Sequence, residues 1–395
     1  MACIDNDVKE PHMSAISPIR TVISPGRYVQ GPGAISRLGE FLAPIGDTPL
    51  IVADDAVWGF VGHDVTSSLK TVGLPVTRET FRGIPSAREI NRLVAVIKST
   101  NANVVVAVGG GSTIDAVKAS GFLAGIRWVT VPTVASTDAP TSALAVVYTE
   151  EGAFEEYRFF PRNPDLVLVD SQIIANAPAA FLAAGVGDAL ATWLEARATA
   201  ASNSLTMAGG LPTLTGTALA RLSWDVLWDN ALPALDAVRD HLVTPAVEKV
   251  IEANTLLSGM GFESGGLAAA HAIHNGLTAV PQTHGLAHGQ KVNIGSLTQL
   301  VLEGAPTGDI RDFIEFTTRV GLPTTLTEVG LTVESSQELA LVASAATEKG
   351  ETIHAMPFDV RPADVVSALK SIERFSRRVR EEASLPVPTP YVAAH

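Results

Sequence analysis

The sequence predicts an α/β N-terminal domain with a mostly parallel, doubly wound sheet, followed by an all-helical C-terminal domain. Three observations support this fold class. Short β-branched runs alternate with helical stretches through the first half of the chain. After about residue 176, long runs show helical periodicity with few strand signals between them. In addition, a glycine-rich loop directly follows one apolar run, as expected of a strand-to-helix turn in such a sheet.

Five short runs rich in β-branched or apolar residues predict the strands of the sheet. They lie at Thr48–Ala53, Pro75–Thr80, Val104–Val108, Trp128–Val131 and Leu166–Val169. The intervening His63–Val72 and Ala87–Ser99 predict helices, and this alternation favours parallel pairing. Ala143–Tyr148 and Phe154–Phe160, separated by a turn at Glu150–Gly152, predict a β-hairpin appended to the sheet.

Helical periodicity dominates the second half of the chain. It is clearest at Ala179–Ala201, Thr215–Asp240, Pro245–Gly261 and Ala363–Ala383. We therefore predict a flexible extension over residues 1–20, an α/β domain over 21–178 and a helical domain over 179–395. Ligands of such proteins usually bind between the domains, beyond the carboxyl ends of the strands.

Composition limits the classes of protein that the chain can belong to. Of 395 residues, 46% are hydrophobic and 17% are charged, which is typical of a compact enzyme rather than a disordered chain. The net charge of −13 argues against binding to nucleic acid or to an anionic membrane, because both need a basic surface. Cys3 is the single cysteine, which excludes intramolecular disulfides and thiolate metal clusters. A reducing compartment, the cytoplasm, is therefore expected.

Four of the nine histidines, His271, His274, His284 and His288, lie in one segment of the second half. His271 and His274 are three apart in an alanine-rich run, so they share one face of a helix. His284 and His288 are four apart after a break at Pro281, where a second helix would again align them. Imidazole is the commonest metal ligand in proteins, so the cluster predicts a metal site. The alternative for any single histidine is a capping or hydrogen-bonded core role.

The glycine-rich loop, Gly109–Thr113, follows the strand predicted at Val104–Val108 and precedes a helix that carries Asp115 and Lys118. Glycine lets backbone N–H groups approach a phosphate, and a helix N-terminus adds partial positive charge. Because the protein as a whole is acidic, an anionic cofactor must be held by local donors, and this loop is a suitable binding site for a pyrophosphate. The loop matches neither the dinucleotide fingerprint nor the Walker loop, so a plain tight turn is the alternative.

Two carboxylates follow predicted strands. Asp54 comes directly after Thr48–Ala53, where a carboxylate can bind a ribose diol and repel a 2′-phosphate, which favours NAD over NADP. Asp138 lies among the hydroxyl side chains of Pro132–Leu144, where it can contact a substrate hydroxyl or carry its proton away. Either acid can instead be an ordinary loop residue or turn cap.

Asp188 follows two glycines in Gly185–Leu190, a segment predicted to open the first helix of the second domain. Position alone favours an N-cap role for this carboxylate. A carboxylate joined to two histidines is also a suitable set for a catalytic divalent ion with one position left for substrate. The sequence spacing leaves both alternatives open.

Several segments, in order from about Pro18 to about Arg380, resemble those of the glycerol dehydrogenases, within the iron-containing alcohol dehydrogenase and dehydroquinate synthase-like superfamily. The segments are GGGSTIDAVKA, VPTVASTDAPTSALAVVYTEEGAFEEY, NPDLVLVD, GVGDALATWLEARA, GFESGGLAAAHAIHNGLTAVPQTHGLAHGQKV and ETIHAMPFDV. The resemblance implies an NAD-binding α/β domain, a helical metal domain and a catalytic zinc in the cleft between them. It also implies a homo-oligomer, with octamers among the family's forms.

The resemblance also implies which histidines bind the metal. By motif, the zinc ligands are Asp188, His271 and His288. His274 and His284 are then left as supporting or structural residues. At Gln290 this chain departs from relatives that often have glutamate, a change that removes none of these ligands.

The remaining implied site residues contact substrate and cofactor. Asp138 matches the family's substrate-contacting acid, and with the zinc ligands it completes the predicted catalytic set. The positions implied to bind NAD are Asp54, Gly110, Gly111, Ser112, Thr133, Ser136, Ser142, Leu144 and Tyr148. Relatives often have lysine where this chain has Ser112, so its pyrophosphate contacts differ in detail.

The resulting prediction is NAD-dependent oxidation of glycerol to dihydroxyacetone by zinc-assisted hydride transfer. The alternatives within the superfamily are another metal-dependent alcohol or polyol dehydrogenase, such as an iron-dependent one, or a sugar-phosphate cyclase. From a different class, a catalytically silent nucleotide-binding regulator would bind NAD without turnover. The complete ligand set argues against that regulator.

Overall fold

The structure is a computed structural model and describes residues 19–390 together with Val392. Of the predicted extension over residues 1–20, only Ile19 and Arg20 belong to this part of the chain. Arg20 pairs with Leu211 in an isolated β-bridge, and its guanidinium donates to the carbonyl of Pro212. The rest of the predicted extension lies outside the described residues.

The described residues form a parallel sheet and a separate hairpin. The eight strands are β1 (Tyr28–Gly31), β2 (Pro49–Ala53), β3 (Thr77–Thr80), β4 (Val104–Gly109), β5 (Arg127–Pro132), β6 (Leu144–Tyr148), β7 (Phe154–Phe159) and β8 (Leu166–Asp170). Six of them pair in parallel in the order β1-β8-β5-β4-β2-β3. Strands β6 and β7 pair antiparallel as the predicted hairpin. The predicted class of fold is therefore confirmed.

The edge strand β1 is the strand that the sequence did not predict. Its four residues, YVQG, are half-buried and contain no apolar run. They pair in parallel with β8, so the sheet extends one strand beyond those predicted. A short edge strand of this kind depends on its neighbour more than on its own β-propensity.

Helices cover both faces of the sheet. In the first domain they are α1 (Leu38–Leu42), α2 (Asp55–Thr71), α3 (Ala87–Ser99), α4 (Gly111–Ala124) and α5 (Ser171–Asn176). Alternate residues of β2 show the two faces. Leu50 and Val52 pack in the core that includes α3 and α4, whereas Ile51 and Ala53 pack in the core that includes α1 and α2. The sheet is buried on both sides for this reason, as parallel sheets usually are.

Helix α2 begins earlier than predicted. It starts at Asp55, whereas the sequence pattern predicted a start at His63. The side chain of Asp54 accepts a hydrogen bond from the backbone N–H of Val57 at 2.8 Å, so Asp54 is the N-cap. The prediction placed the start too late because it did not use this N-cap.

The second domain is built from helices. They are α6 (Ala179–Ser202), α7 (Leu214–Arg239), α8 (Pro245–Glu252), α9 (Ser258–Gly265), α10 (Ala269–Thr278), α11 (His288–Leu302), α12 (Thr307–Val320), α13 (Ser336–Ala346) and α14 (Pro362–Glu382). A π-helical turn at Ala253–Leu257 joins α8 to α9. Helix α6 is long and apolar enough to cross a bilayer by composition, but 78% of its apolar window is buried inside the protein. It is therefore packed as the central helix of this domain.

Candidate active site

Three potential metal ligands converge at the junction of α6, α10 and α11. They are Asp188 on α6, His271 on α10 and His288 at the start of α11, and one donor atom from each lies within 4.8 Å of the others. Asp188 Oδ1 is 3.0 Å from His288 Nε2 and 3.3 Å from His271 Nε2. The structure thus brings together the three residues that the sequence resemblance implied as ligands.

Asp188 is not a helix cap. Helix α6 begins at Ala179, so Asp188 lies in its third turn and is fully buried. The prediction that Gly185–Leu190 opens the helix is therefore wrong. The glycines have another role: a Cβ on Gly185 would come within 1.9 Å of the carbonyl oxygen of Ala135. Glycine at this position lets the loop after β5 approach α6 close to Asp188.

Charge at the site stabilises a deprotonated aspartate. Burial would raise the pKa of Asp188, but the imidazoles of His288 and His271 outweigh that effect and hold the pKa well below its usual value. Burial would lower the pKa of His271, yet the carboxylates of Glu195 and Asp188 raise it well above its usual value. The pocket is therefore a strong attractor of positive charge.

The donor set fits a divalent cation. One carboxylate and two imidazoles leave a bound ion with net positive charge and at least one open coordination position. Glu195 Oε2 lies 2.5 Å from His271 Nδ1, so the other ring nitrogen, Nε2, is the one available to a metal. Both properties suit a catalytic site for a divalent metal ion.

The other two clustered histidines do not join this group. His274 Nδ1 lies 3.1 Å from Asn275 Oδ1, and burial, followed by the charges of His288, Lys291 and His271, holds its pKa well below the usual value. His284 precedes α11 instead of sharing it with His288, so the predicted helical pairing of those two histidines is wrong. His284 Nε2 instead lies 2.9 Å from the carbonyl oxygen of Thr278.

Asp138 lies next to the three candidate metal ligands. Its backbone N–H donates to Asp188 Oδ2 at 3.2 Å, and its own Oδ2 accepts a hydrogen bond from the hydroxyl of Ser258 at 2.7 Å. Burial raises the pKa of Asp138 well above its usual value, and the charge of Asp188 raises it further. Asp138 is thus held in a fixed orientation and lines the cavity described next.

A cavity of about 300 Å³ lies between the two domains beside this cluster. His271, His288 and Asp138 form part of its wall. Six of the predicted NAD-binding positions also line it, namely Gly111, Ser112, Ser136, Ser142, Leu144 and Tyr148. The cavity opens at the carboxyl ends of β4 and β5, where ligands of doubly wound sheets bind.

The other three predicted NAD-binding positions line a second cavity of about 840 Å³. They are Asp54, Gly110 and Thr133. Phe181 lines both cavities, which therefore adjoin along the end of the sheet. Asp54 both caps α2 and faces this cavity, so its capping role is compatible with the ribose contact, which stays a prediction.

Sequence reasoning missed a buried ion pair behind residues 133–143, the loop that contains Asp138. Lys118 is fully buried, and its Nζ lies 3.0 Å from Asp115 Oδ1. The same Nζ donates to the carbonyl of Ala139 at 2.8 Å and to the hydroxyl of Ser142 at 3.1 Å. The spacing of Asp115 and Lys118 on α4 was visible in the sequence, but the contacts of Lys118 with the loop that contains Asp138 were not.

Other cavity-lining residues were also missed. They are Asp115, Ala139, Val146, Tyr157, Phe181, Phe262, Leu267, Asn275, Gly285, Leu286 and Ala287. Asn275 Nδ2 donates to the hydroxyl of Tyr157 at 2.9 Å and to Glu351 at 3.1 Å, and so connects the hairpin to the helical domain. No spacing rule places a hairpin tyrosine beside a helix more than a hundred residues later. Gln290, where relatives often have glutamate, accepts from the N–H of Ala287 at 2.9 Å and caps α11.

Comparisons with known proteins show the family and the fold of the chain. The profile of the iron-containing alcohol dehydrogenase family matches residues 25–171. A glycerol dehydrogenase of Escherichia coli O6:H1 is 47% identical over 363 residues, which are 92% of this chain and 99% of that protein. A glycolaldehyde reductase of Halobacterium salinarum is 48% identical over 358 residues, which are 91% and 98% of the two chains. The crystal structure of a glycerol dehydrogenase from Schizosaccharomyces pombe has a TM-score of 0.91 at 37% identity and covers 96% of this chain and 98% of its own.

The doubly wound sheet, the helical domain and the buried carboxylate–histidine cluster define a metal-dependent alcohol oxidoreductase. The two relatives that are 47% and 48% identical match 92% and 91% of this chain. The chain therefore belongs to the iron-containing alcohol dehydrogenase family. The resemblance to glycerol dehydrogenases found in the sequence motifs is confirmed.

Proposed function

We propose that this protein oxidises glycerol to dihydroxyacetone with NAD as the hydride acceptor and zinc as the metal. The observation that carries the proposal is the convergence of Asp188, His271 and His288 on one point beside a cavity lined by the glycine-rich loop. Glycerol dehydrogenases at 45–49% identity over most of the chain support the substrate. A position for NAD is supported by the adjoining cavities at the end of the sheet.

Each part of the site has a separate task in this proposal. Asp188, His271 and His288 would hold a zinc ion, which would supply a Lewis acid to a substrate hydroxyl. NAD supplies the acceptor for the hydride that leaves the substrate carbon. Asp138, oriented by Ser258, accepts the hydrogen bond of a substrate hydroxyl and assists removal of its proton.

The second cavity holds the adenosine half of NAD in this proposal. Asp54 faces that cavity at the end of β2, where its carboxylate binds the ribose hydroxyls and repels a 2′-phosphate. The backbone N–H groups of Gly110 and Gly111, at the start of α4, donate hydrogen bonds to the pyrophosphate. The hydroxyl-bearing side chains of Ser136 and Ser142 then face the nicotinamide end.

A second candidate is the reduction of a small hydroxyaldehyde by the same site. One observation favours it: the glycolaldehyde reductase of Halobacterium salinarum is as similar to this chain as the glycerol dehydrogenases are. The same metal and cofactor would serve both reactions, since hydride transfer is reversible. The relative rates on the two substrates decide between them.

We also propose that the protein works in the cytoplasm as a homo-oligomer. A reducing compartment is supported by the single cysteine, and the assembly by the resemblance to glycerol dehydrogenases. Small polyols are then the only partners that the activity needs besides the cofactor and the metal. Size-exclusion chromatography with light scattering measures the subunit number.

One experiment tests the proposed function. The purified full-length chain is assayed for NADH formation with glycerol, 1,2-propanediol, ethanol and glycerol 3-phosphate, and for NADH consumption with dihydroxyacetone and glycolaldehyde. Each assay is run with the zinc-loaded and the iron-loaded protein. We expect the highest kcat/KM for glycerol and dihydroxyacetone with zinc. Preference for glycolaldehyde would favour the second candidate, and activity only with iron would contradict the choice of metal.

A further inference from the structure

A second buried carboxylate, Glu195, stands directly behind one of the metal ligands. Glu195 is fully buried on α6, seven residues after Asp188 and so on nearly the same face of that helix. Its Oε2 lies 2.5 Å from His271 Nδ1, on the side of the imidazole ring away from Asp188. Its Oε1 accepts hydrogen bonds from the backbone N–H groups of His271 at 2.9 Å and Ala268 at 2.8 Å. Every contact of this carboxylate therefore concerns the start of α10.

The first turn of α10 has two different side chains as its caps. Glu195 accepts hydrogen bonds from the N–H groups of Ala268 and His271. Gln299 Oε1 accepts hydrogen bonds from those of Ala269 and Ala270, at 3.1 and 3.0 Å. Both caps satisfy donors that a buried helix start would otherwise leave unpaired. Only Glu195 also contacts the imidazole of a metal ligand. At this helix start Gln299 therefore acts only as a cap, whereas Glu195 both caps the helix and contacts His271. Variants of the two residues can separate these effects.

We propose that Glu195 is a positioning residue that fixes both the ring orientation and the tautomer of His271. A carboxylate is an acceptor only, so it requires the proton of neutral His271 to lie on Nδ1. Nε2 then carries the free lone pair and points at Asp188 and His288, as metal binding needs. This inference rests on the proposed metal site but not on the identity of the substrate.

The isosteric variant Glu195→Gln tests the tautomer directly. Its amide oxygen still accepts from Ala268 and His271, but its NH₂ group now faces His271 Nδ1. That donor favours the tautomer with the proton on Nε2, which cannot bind a metal. We expect the zinc affinity of the full-length chain, measured by competition with a chromophoric chelator, to fall by about 10–100-fold.

The matched control is Gln299→Ala. It removes the acceptor for Ala269 and Ala270 and so weakens the same helix start without touching His271. We expect this variant to unfold at a lower temperature yet to bind zinc as tightly as the wild type. Unchanged zinc affinity in Glu195→Gln would overturn the proposal. An equal loss of affinity in both variants would also overturn it, because capping alone would then explain the effect.

A spectroscopic measurement on the wild-type chain tests the tautomer without the Glu195→Gln variant. In ¹⁵N spectra of the zinc-loaded protein, we expect His271 to bind the metal through Nε2 and to carry its proton on Nδ1. The resonances are assigned by their absence in His271→Ala. Coordination through Nδ1 would overturn the proposal. If the wild type binds no zinc at all, the proposed metal function itself fails, whereas normal zinc binding with an inactive protein leaves the role of Glu195 intact.

Discussion

Gly289 lies so close to Ala184 that a Cβ on Gly289 would come within 1.7 Å of the Ala184 carbonyl oxygen. Gly289 follows the candidate metal ligand His288 at the start of α11, and Ala184 lies one turn before Asp188 on α6. The two helices therefore touch backbone to backbone at the point where they present their ligands. Close helix contact, made possible by glycine, sets the distance between Asp188 and His288.

Substitution of Gly289 by alanine tests this relationship. Because the nearest atoms are backbone, Gly289→Ala must move α11 away from α6 and separate His288 from Asp188. We expect a loss of stability of about 1–3 kcal/mol, or more, as for other overpacked sites. We also expect a lower zinc content in the folded fraction. Thermal unfolding and metal analysis measure both effects.

The control for that substitution is Gly308→Ala in the first turn of α12. A Cβ on Gly308 meets no atom within 4 Å, so this variant should unfold at or above the wild-type temperature and keep its zinc. Wild-type stability and zinc content in Gly289→Ala would show that the contact is not required.

The architecture was largely predictable from the sequence, because it follows from local periodicity. Short strand-like runs alternate with helical stretches in the first half of the chain, and helical periodicity dominates the second half. These two patterns predicted the correct class of fold. The unpredicted strand β1 and the early start of α2 depend on tertiary pairing and on one capping side chain, which periodicity does not report. A pattern thus identifies a long element better than it identifies a short edge or a boundary.

The metal ligands were chosen by resemblance and not by spacing. Spacing alone paired His284 with His288 on one helix and favoured a cap for Asp188, and the structure contradicts both. Glu195 was predictable only in part, since its seven-residue distance from Asp188 places both on one helical face. That Glu195 reaches His271, on another helix, depends on packing that no local pattern contains.

Cofactor preference is tested at Asp54. Because Asp54 also caps α2, Asp54→Asn is the suitable change: asparagine caps as well as aspartate but carries no charge. We expect the ratio of kcat/KM for NAD to that for NADP to fall, since a 2′-phosphate is no longer repelled. The control is Asp55→Asn, which removes the neighbouring carboxylate that pairs with Arg78 outside the cavity. An unchanged ratio in Asp54→Asn would remove this residue from the proposed ribose site.

The role of Asp138 is tested by Asp138→Asn. The amide keeps the shape of the side chain and can still accept from Ser258, but it cannot accept a proton. We expect zinc content and NAD affinity close to those of the wild type, with kcat reduced by about 10²–10⁴-fold. A turn-capping aspartate predicts a different outcome, because asparagine caps about equally well. Turnover near that of the wild type would therefore return Asp138 to a structural role.

The buried pair of Lys118 and Asp115 is expected to position residues 133–143, the loop that contains Asp138 and the proposed NAD-binding residue Ser142. Lys118→Met removes the donor to Ala139 and Ser142 and leaves a buried carboxylate unpaired. We expect a loss of about 3–5 kcal/mol in the free energy of unfolding, together with a higher KM for NAD. The double variant Asp115→Leu/Lys118→Met should regain much of the stability but not the KM. Denaturant unfolding and steady-state kinetics on both variants measure the two effects, and a normal KM in both would mean that the pair does not position the loop.

The central claim is that zinc held by Asp188, His271 and His288 is required for glycerol oxidation. The most direct measurement is a zinc titration of the chelator-stripped, full-length chain, followed by glycerol-dependent NADH formation. We expect activity to rise linearly and to level off at one ion per chain, with His274→Ala behaving similarly and with His271→Ala and His288→Ala staying inactive. Full activity in the stripped wild type, or recovery in His288→Ala equal to that of the wild type, would contradict the claim.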